Sequence, residues 1–127
     1  MRNIIIVLLS DNKHHGAARP EAVKGFLRAV IGGTHLAIKD PGRAADEVVS
    51  RMDGGSRDLE LERLGVVIRD NILTGEVKRN GIGGIDPARL DRSIDQMAED
   101  FKFQKRPSPA DIFDDSFLPP LGGRLIN

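Results

Sequence analysis

The chain has 127 residues, 39% apolar and 30% charged, with Lys plus Arg and Asp plus Glu each numbering 19. That length and balance describe one globular domain burying roughly two thirds of its surface. A formal charge of zero removes the basic excess expected of a nucleic-acid or anionic-membrane binder and favours self-association. The chain holds no cysteine, which excludes a disulfide framework and thiol chemistry without fixing a compartment.

The first element is Ile4-Ile5-Ile6-Val7-Leu8-Leu9. Six apolar residues are too few to span a bilayer. Ser10-Asp11-Asn12-Lys13 ends the run without a small-residue cleavage site, so a secretory signal is the poorer reading. Its β-branched residues predict a short buried strand at about residues 3–9. A polar loop carrying His14-His15-Gly16 follows, and Pro20 opens a helix to about Lys39, with Val23, Phe26, Leu27, Val30, Ile31 and Ile38 as one broad apolar face. Gly32-Gly33 inside this helix predicts a bend or the close approach of another element.

Asp40-Pro41 is a helix start, a capping carboxylate followed by a first-turn proline, and Asp86-Pro87 repeats it. Ala44, Ala45, Val48, Val49 and Met52 form the buried stripe of a helix at about 41–53, which Gly54-Gly55 ends. Leu61, Leu64, Ile68 and Ile72 mark a helix at about 57–73. From Thr74-Gly75 to Gly83-Gly84 the glycines predict tight turns rather than helix. Leu90, Ile94, Met97, Ala98 and Phe101 place the next helix at about 87–103. Ser108-Pro109-Ala110-Asp111 starts another at about 109–115, and residues 119–127 form a tail. The whole is a single, mainly α domain over residues 1–127, with about five helices and one short N-terminal strand. A lone strand needs partners for its backbone, which the tail residues Arg124-Leu125-Ile126 or a second copy would supply.

Chemistry is sparse. His14 and His15 lack a third ligand at fixed spacing and read as a solvated loop; His35, near a helix end, reads as a surface cation. Gly81-Ile82-Gly83-Gly84 before a helix resembles a phosphate cradle, but it follows helix, and Asp86 puts a negative charge where the anion would sit. Asp91, Asp95 and Glu99 recur every four residues, beside Asp100 and interleaved with Arg92 and Gln96, as on a solvated face. Asp111, Asp114 and Asp115 are the remaining acids that would serve a divalent metal. No nucleophile elbow or triad is legible. The expectation is a non-enzymatic chain with no catalytic residue, no metal ligand and no cofactor, and with its ligand-binding residues unassigned.

Five segments carry a likeness. Residues Arg19 to Val30 (RPEAVKGFLRAV), Ala37-Ile38-Lys39-Asp40-Pro41, Leu61-Glu62-Arg63-Leu64, Asn80 to Asp86 with Arg89-Leu90, and Asp111 to Pro119 (DIFDDSFLP) resemble, in order, the C-terminal portion of nitrate/taurine/sulfonate-class substrate-binding proteins of ABC transporters, a class that includes binders of thiamine-pyrimidine precursors. The resemblance implies the C-terminal part of a type II periplasmic-binding-protein α/β fold. It also implies a small organic anion or heterocycle as ligand, a membrane permease as partner of full-length relatives, and a periplasmic location for the family. On this reading the chain is a truncated or partial binding protein, likened to the family from about Arg19 to Pro119, that forms a homo-oligomer, binds no nucleic acid and does not insert into the membrane. A stand-alone helical protein-interaction module is the alternative.

Overall fold

A computed structural model describes residues 19–126. The strand expected at 3–9, like His14 and His15, lies outside the described residues. Among the described residues every regular element is a helix. Helix α1 is Pro20–Lys39, α2 Pro41–Val49, α3 Arg57–Val67, α4 Gly75–Asn80, α5 Pro87–Asp100 and α6 Pro109–Ile112, with a 3-10 turn at Leu121–Gly123.

Local chemistry sets the starts. Both Asp-Pro signals are realised: the Asp40 carboxylate accepts from the Arg43 N–H at 3.0 Å, and that of Asp86 accepts from the Arg89 N–H at 2.8 Å. Each bond satisfies one of the four donors that a helix N-terminus leaves open. At α6, Asp111 accepts from both the Ser108 N–H and the Ser108 hydroxyl. The ends differ from expectation. Helix α2 stops at Val49 rather than 53, because Arg51 and Met52 donate only three residues back, to the Val48 and Val49 carbonyls, and Gly54 then takes a positive φ of 75°. Helix α5 ends at Asp100 rather than 103, where Lys102 takes a positive φ of 51°. Helix α6 ends at Ile112 rather than 115, in extended backbone at Phe113. Beyond Val67, α3 widens into a π segment, Ile68–Ile72, in which the Leu73 N–H reaches back five residues to the Ile68 carbonyl at 2.8 Å.

Residues 75–80 correct the sequence reading most. They form α4, with the Thr74 hydroxyl accepting from the Val77 N–H at 3.2 Å. The tight turning is confined to residues 81–84, where Gly81 and Gly83 have φ of 72° and 78°.

Helices α2 and α3 pack together, α1 packs on α2, and α5 packs on α6. The buried apolar residues are Leu27, Ile31, Ala45, Ile68, Ile82, Leu90 and Ile94. Against these seven, thirteen large apolar residues are exposed among the described residues. Phe26, expected on the core face of α1, is one of them at 58% exposure. At about 100° per residue it lies roughly 100° round the helix from the buried Leu27 and about 140° from Ile31. No neighbour approaches Gly32 or Gly33 closely: a Cβ at either would meet nothing within 4 Å.

Candidate functional site

Three features concentrate chemistry or unpartnered surface. The first is α1 itself. Ala22, Phe26, Ala29, Gly33 and Leu36 fall within about 80° of arc, and all are exposed, Leu36 at 69%. The helix is therefore apolar over roughly 220° of arc, from the covered Leu27 and Ile31 through Val30 round to Phe26 and Leu36, with Glu21, Lys24, Arg28 and Lys39 on the remaining charged stripe. A surface helix ordinarily shows one narrower apolar stripe; apolarity over so wide an arc belongs to a helix covered on more than one side.

The second is the carboxylate row of α5. Asp91 and Asp95 share one guanidinium: Arg106 donates through Nη2 to Asp91 at 3.0 Å and through Nε to Asp95 at 2.5 Å. These bonds, with Asp95 first and Asp91 second, hold the Arg106 guanidinium above its ordinary value. Asp91, Asp95, Glu99 and Asp100 are all exposed, as expected of a solvated face, and the structure adds Arg106 as the partner of the first two. Eleven and fifteen residues separate Arg106 from the two acids, so helical periodicity gives no hint of the pairing. Glu99 and Asp100 are exposed further along α5. The acids after it do not converge either. Asp111 caps α6, and Asp114 is held below the usual carboxylate range by Ser116, first through its hydroxyl and then through its N–H, which donates at 2.9 Å. Among the described residues no three His, Asp or Glu side chains stand close enough together to hold a metal ion.

The third is the connector between α4 and α5. Glu76, 11% exposed, accepts from the Asp86 N–H at 3.1 Å and from Arg89, itself 28% exposed. This clamp sets the entry of α5. Arg124 closes the other side, donating to the carbonyls of Pro119, Asn80 and Ile82. Asp86 sits where an anion would, capping α5, so the glycines here shape a turn and not a phosphate cradle. His35 lies half-buried near the end of α1, apart from these groups.

One further surface was not singled out from the sequence. The Phe101 and Phe103 rings stack with centroids 6.3 Å apart, and both side chains are exposed with Met97. The positive φ of Lys102 between them turns the chain where α5 ends.

None of these arrangements joins a nucleophile to a base or a carboxylate pair to an open cavity. No protein-family model matches the chain, and neither a curated protein nor a solved structure matches it significantly. No helix among the described residues is long and apolar enough to cross a membrane.

Proposed function

We propose that the chain is a C-terminal-type portion of an ABC-importer substrate-binding protein for a small organic anion or heterocycle of the nitrate, sulfonate or taurine kind. It is non-catalytic and self-associates through apolar surface. The observation that carries this reading is α1, which is covered on one side and open on the other. In a two-lobed binding protein such a helix is sandwiched; here a second copy takes the place of the other cover. The segments that resemble the family support the same view, because they fall on structural joints. Asp40-Pro41 and Asp86-Pro87 are caps, Asn80 to Asp86 is the clamped connector, and Asp111 belongs to α6. These are scaffold positions, so no ligand-binding residue is assigned.

The stacked pair Phe101 and Phe103 favours the second reading, a stand-alone helical module that docks a partner protein through exposed aromatics. Intact mass of the native polypeptide from its own cells discriminates the two. A mass more than twice 13.9 kDa supports the binding-protein reading. A 13.9-kDa polypeptide that is monomeric in light scattering at tens of micromolar overturns it in favour of the module.

A further inference from the structure

The segment after α6 looks in sequence like a loose tail, yet it is built into the molecule by one residue. Arg124 is half-buried and pairs with no carboxylate among the described residues. Its guanidinium spends its donors on main-chain oxygens instead: Nε on Pro119 at 2.8 Å, and Nη1 on Asn80 at 2.9 Å and Ile82 at 3.1 Å. Asn80 ends α4, so the cation sits where a helix leaves carbonyls without partners and carries its negative pole. The Arg124 carbonyl returns the contact, accepting from the Ile82 N–H at 2.8 Å.

Packing follows the same line. A Cβ on Gly81 would lie 2.9 Å from the Arg124 Cβ and 3.0 Å from Leu121 Cδ1, and one on Gly83 would lie 3.1 Å from Leu118 Cδ2. Residues 118–124 therefore lie directly on the two positive-φ glycines. Beneath them Ile82 is 4% exposed, the most buried large side chain of this part of the chain. Within itself the segment is closed by short-range bonds, Gly123 N–H to Pro120 O and Arg124 N–H to Leu121 O. Beyond residues 119–124, the polar ties of Arg124 run to Asn80 and Ile82.

We propose that Leu118–Leu125 is a strap pinned by Arg124, which opens as a unit while α1–α3 stay folded and whose opening uncovers Ile82 and frees the 80–84 connector. A short unit held by one guanidinium, a few main-chain bonds and the packing of Leu118 and Leu121 on a glycine turn belongs to the low-stability end of a fold. The strap goes beyond the functional proposal and does not depend on it.

Native-state hydrogen exchange on the full chain tests it, residue by residue. The Ile82 and Gly84 amides should exchange by a local opening, faster than the most protected amides of α1–α3. Arg124→Ala removes the guanidinium bonds to Asn80 and Ile82 and should accelerate Ile82 and Gly84 by at least roughly tenfold to a hundredfold, leaving α1–α3 unchanged. Arg124→Lys, which keeps the charge and loses the fork, should fall between. Ile82 exchanging at the rate of the α1–α3 core in the native protein overturns the strap without any variant. So does an Arg124→Ala effect spread equally over α1–α3.

Discussion

Two glycine-to-alanine substitutions, identical in chemistry, should move stability in opposite directions. Gly33 lies inside α1, where an added Cβ meets nothing within 4 Å. Alanine there removes unfolded-state freedom at no steric cost and should stabilise by about 0.5–1 kcal/mol. At Gly84 the added Cβ would sit 2.2 Å from the Asn80 carbonyl oxygen and 2.9 Å from its carbon. Both are backbone, so relief requires displacing the chain by roughly 1 Å to reach ordinary contact. The Asn80 oxygen accepts from Arg124, and Gly84 donates to the Gly81 carbonyl at 3.1 Å, so the displacement breaks one charge-assisted and one neutral hydrogen bond. Together these amount to about 2–4 kcal/mol. Thermal melts followed by far-UV circular dichroism should show Gly33→Ala melting about 2–4 °C higher and Gly84→Ala about 6–15 °C lower. Urea titrations at several protein concentrations separate folding from any change in association. A Gly84→Ala protein within about 0.5 kcal/mol of the parent, or a destabilised Gly33→Ala, would refute the reasoning.

Other substitutions probe the clamp, the caps and the surface acids. Glu76→Ala takes the carboxylate from Arg89 and from the Asp86 N–H, and should cost about 2 kcal/mol in urea unfolding. Asp40→Ala and Asp86→Ala each remove a helix cap and should cost about 1 kcal/mol, with the Asn variants near neutral. In acid, Glu47 and Asp70 matter. Arg51 holds the Glu47 carboxyl below its ordinary 4.5, chiefly by hydrogen bonding, and Arg69 does the same for Asp70 below 3.8. A carboxyl whose value is lower in the folded state stabilises fully above the unfolded value and loses that contribution as pH falls through the folded one. The melting temperature should therefore stay level at neutral pH and decline below about 4.5. Arg51→Gln with Arg69→Gln should flatten the decline, and an unchanged acid limb would remove these pairs from the account.

Legibility followed range along the chain. Caps act within one turn, so Asp40-Pro41 and Asp86-Pro87 could be read directly, and so could α1 from its proline and its periodicity. Thr74-Gly75 was misread because glycine spoke against helix, whereas the Thr74 hydroxyl, a cap signal of the same kind as Asp40, started α4. Helix ends were overrun by three residues or more at α2, α5 and α6, since Met52, Phe101 and Phe103 continue the apolar content without continuing the hydrogen bonds. Longer-range features were invisible. Arg106 meets α5 across a turn, and Arg124 reaches Asn80 over 44 residues. Composition flags neither arginine among the many basic residues of the chain. Periodicity could mark α1 as apolar, but it merged Phe26 with the core face from which the structure separates it.

Polar and apolar side chains are in different states of completion, and that difference bears on self-association. Among the described residues no buried side-chain nitrogen or oxygen is without a hydrogen-bond partner. No polar or charged residue is itself buried among the described residues, so the interior is built from apolar side chains alone. The apolar surface, in contrast, is left open along α1 and at Phe101 and Phe103. On the proposal that this surface drives self-association, the contact made there would be non-directional and apolar and not a further polar bond. Association driven this way should strengthen in ammonium sulfate, which is excluded from protein surface, and should survive sodium chloride at concentrations that screen charges beyond a few ångströms. Light scattering in the two salts decides it: an oligomer that dissociates in sodium chloride would be held by charge, and α1 would not be its interface.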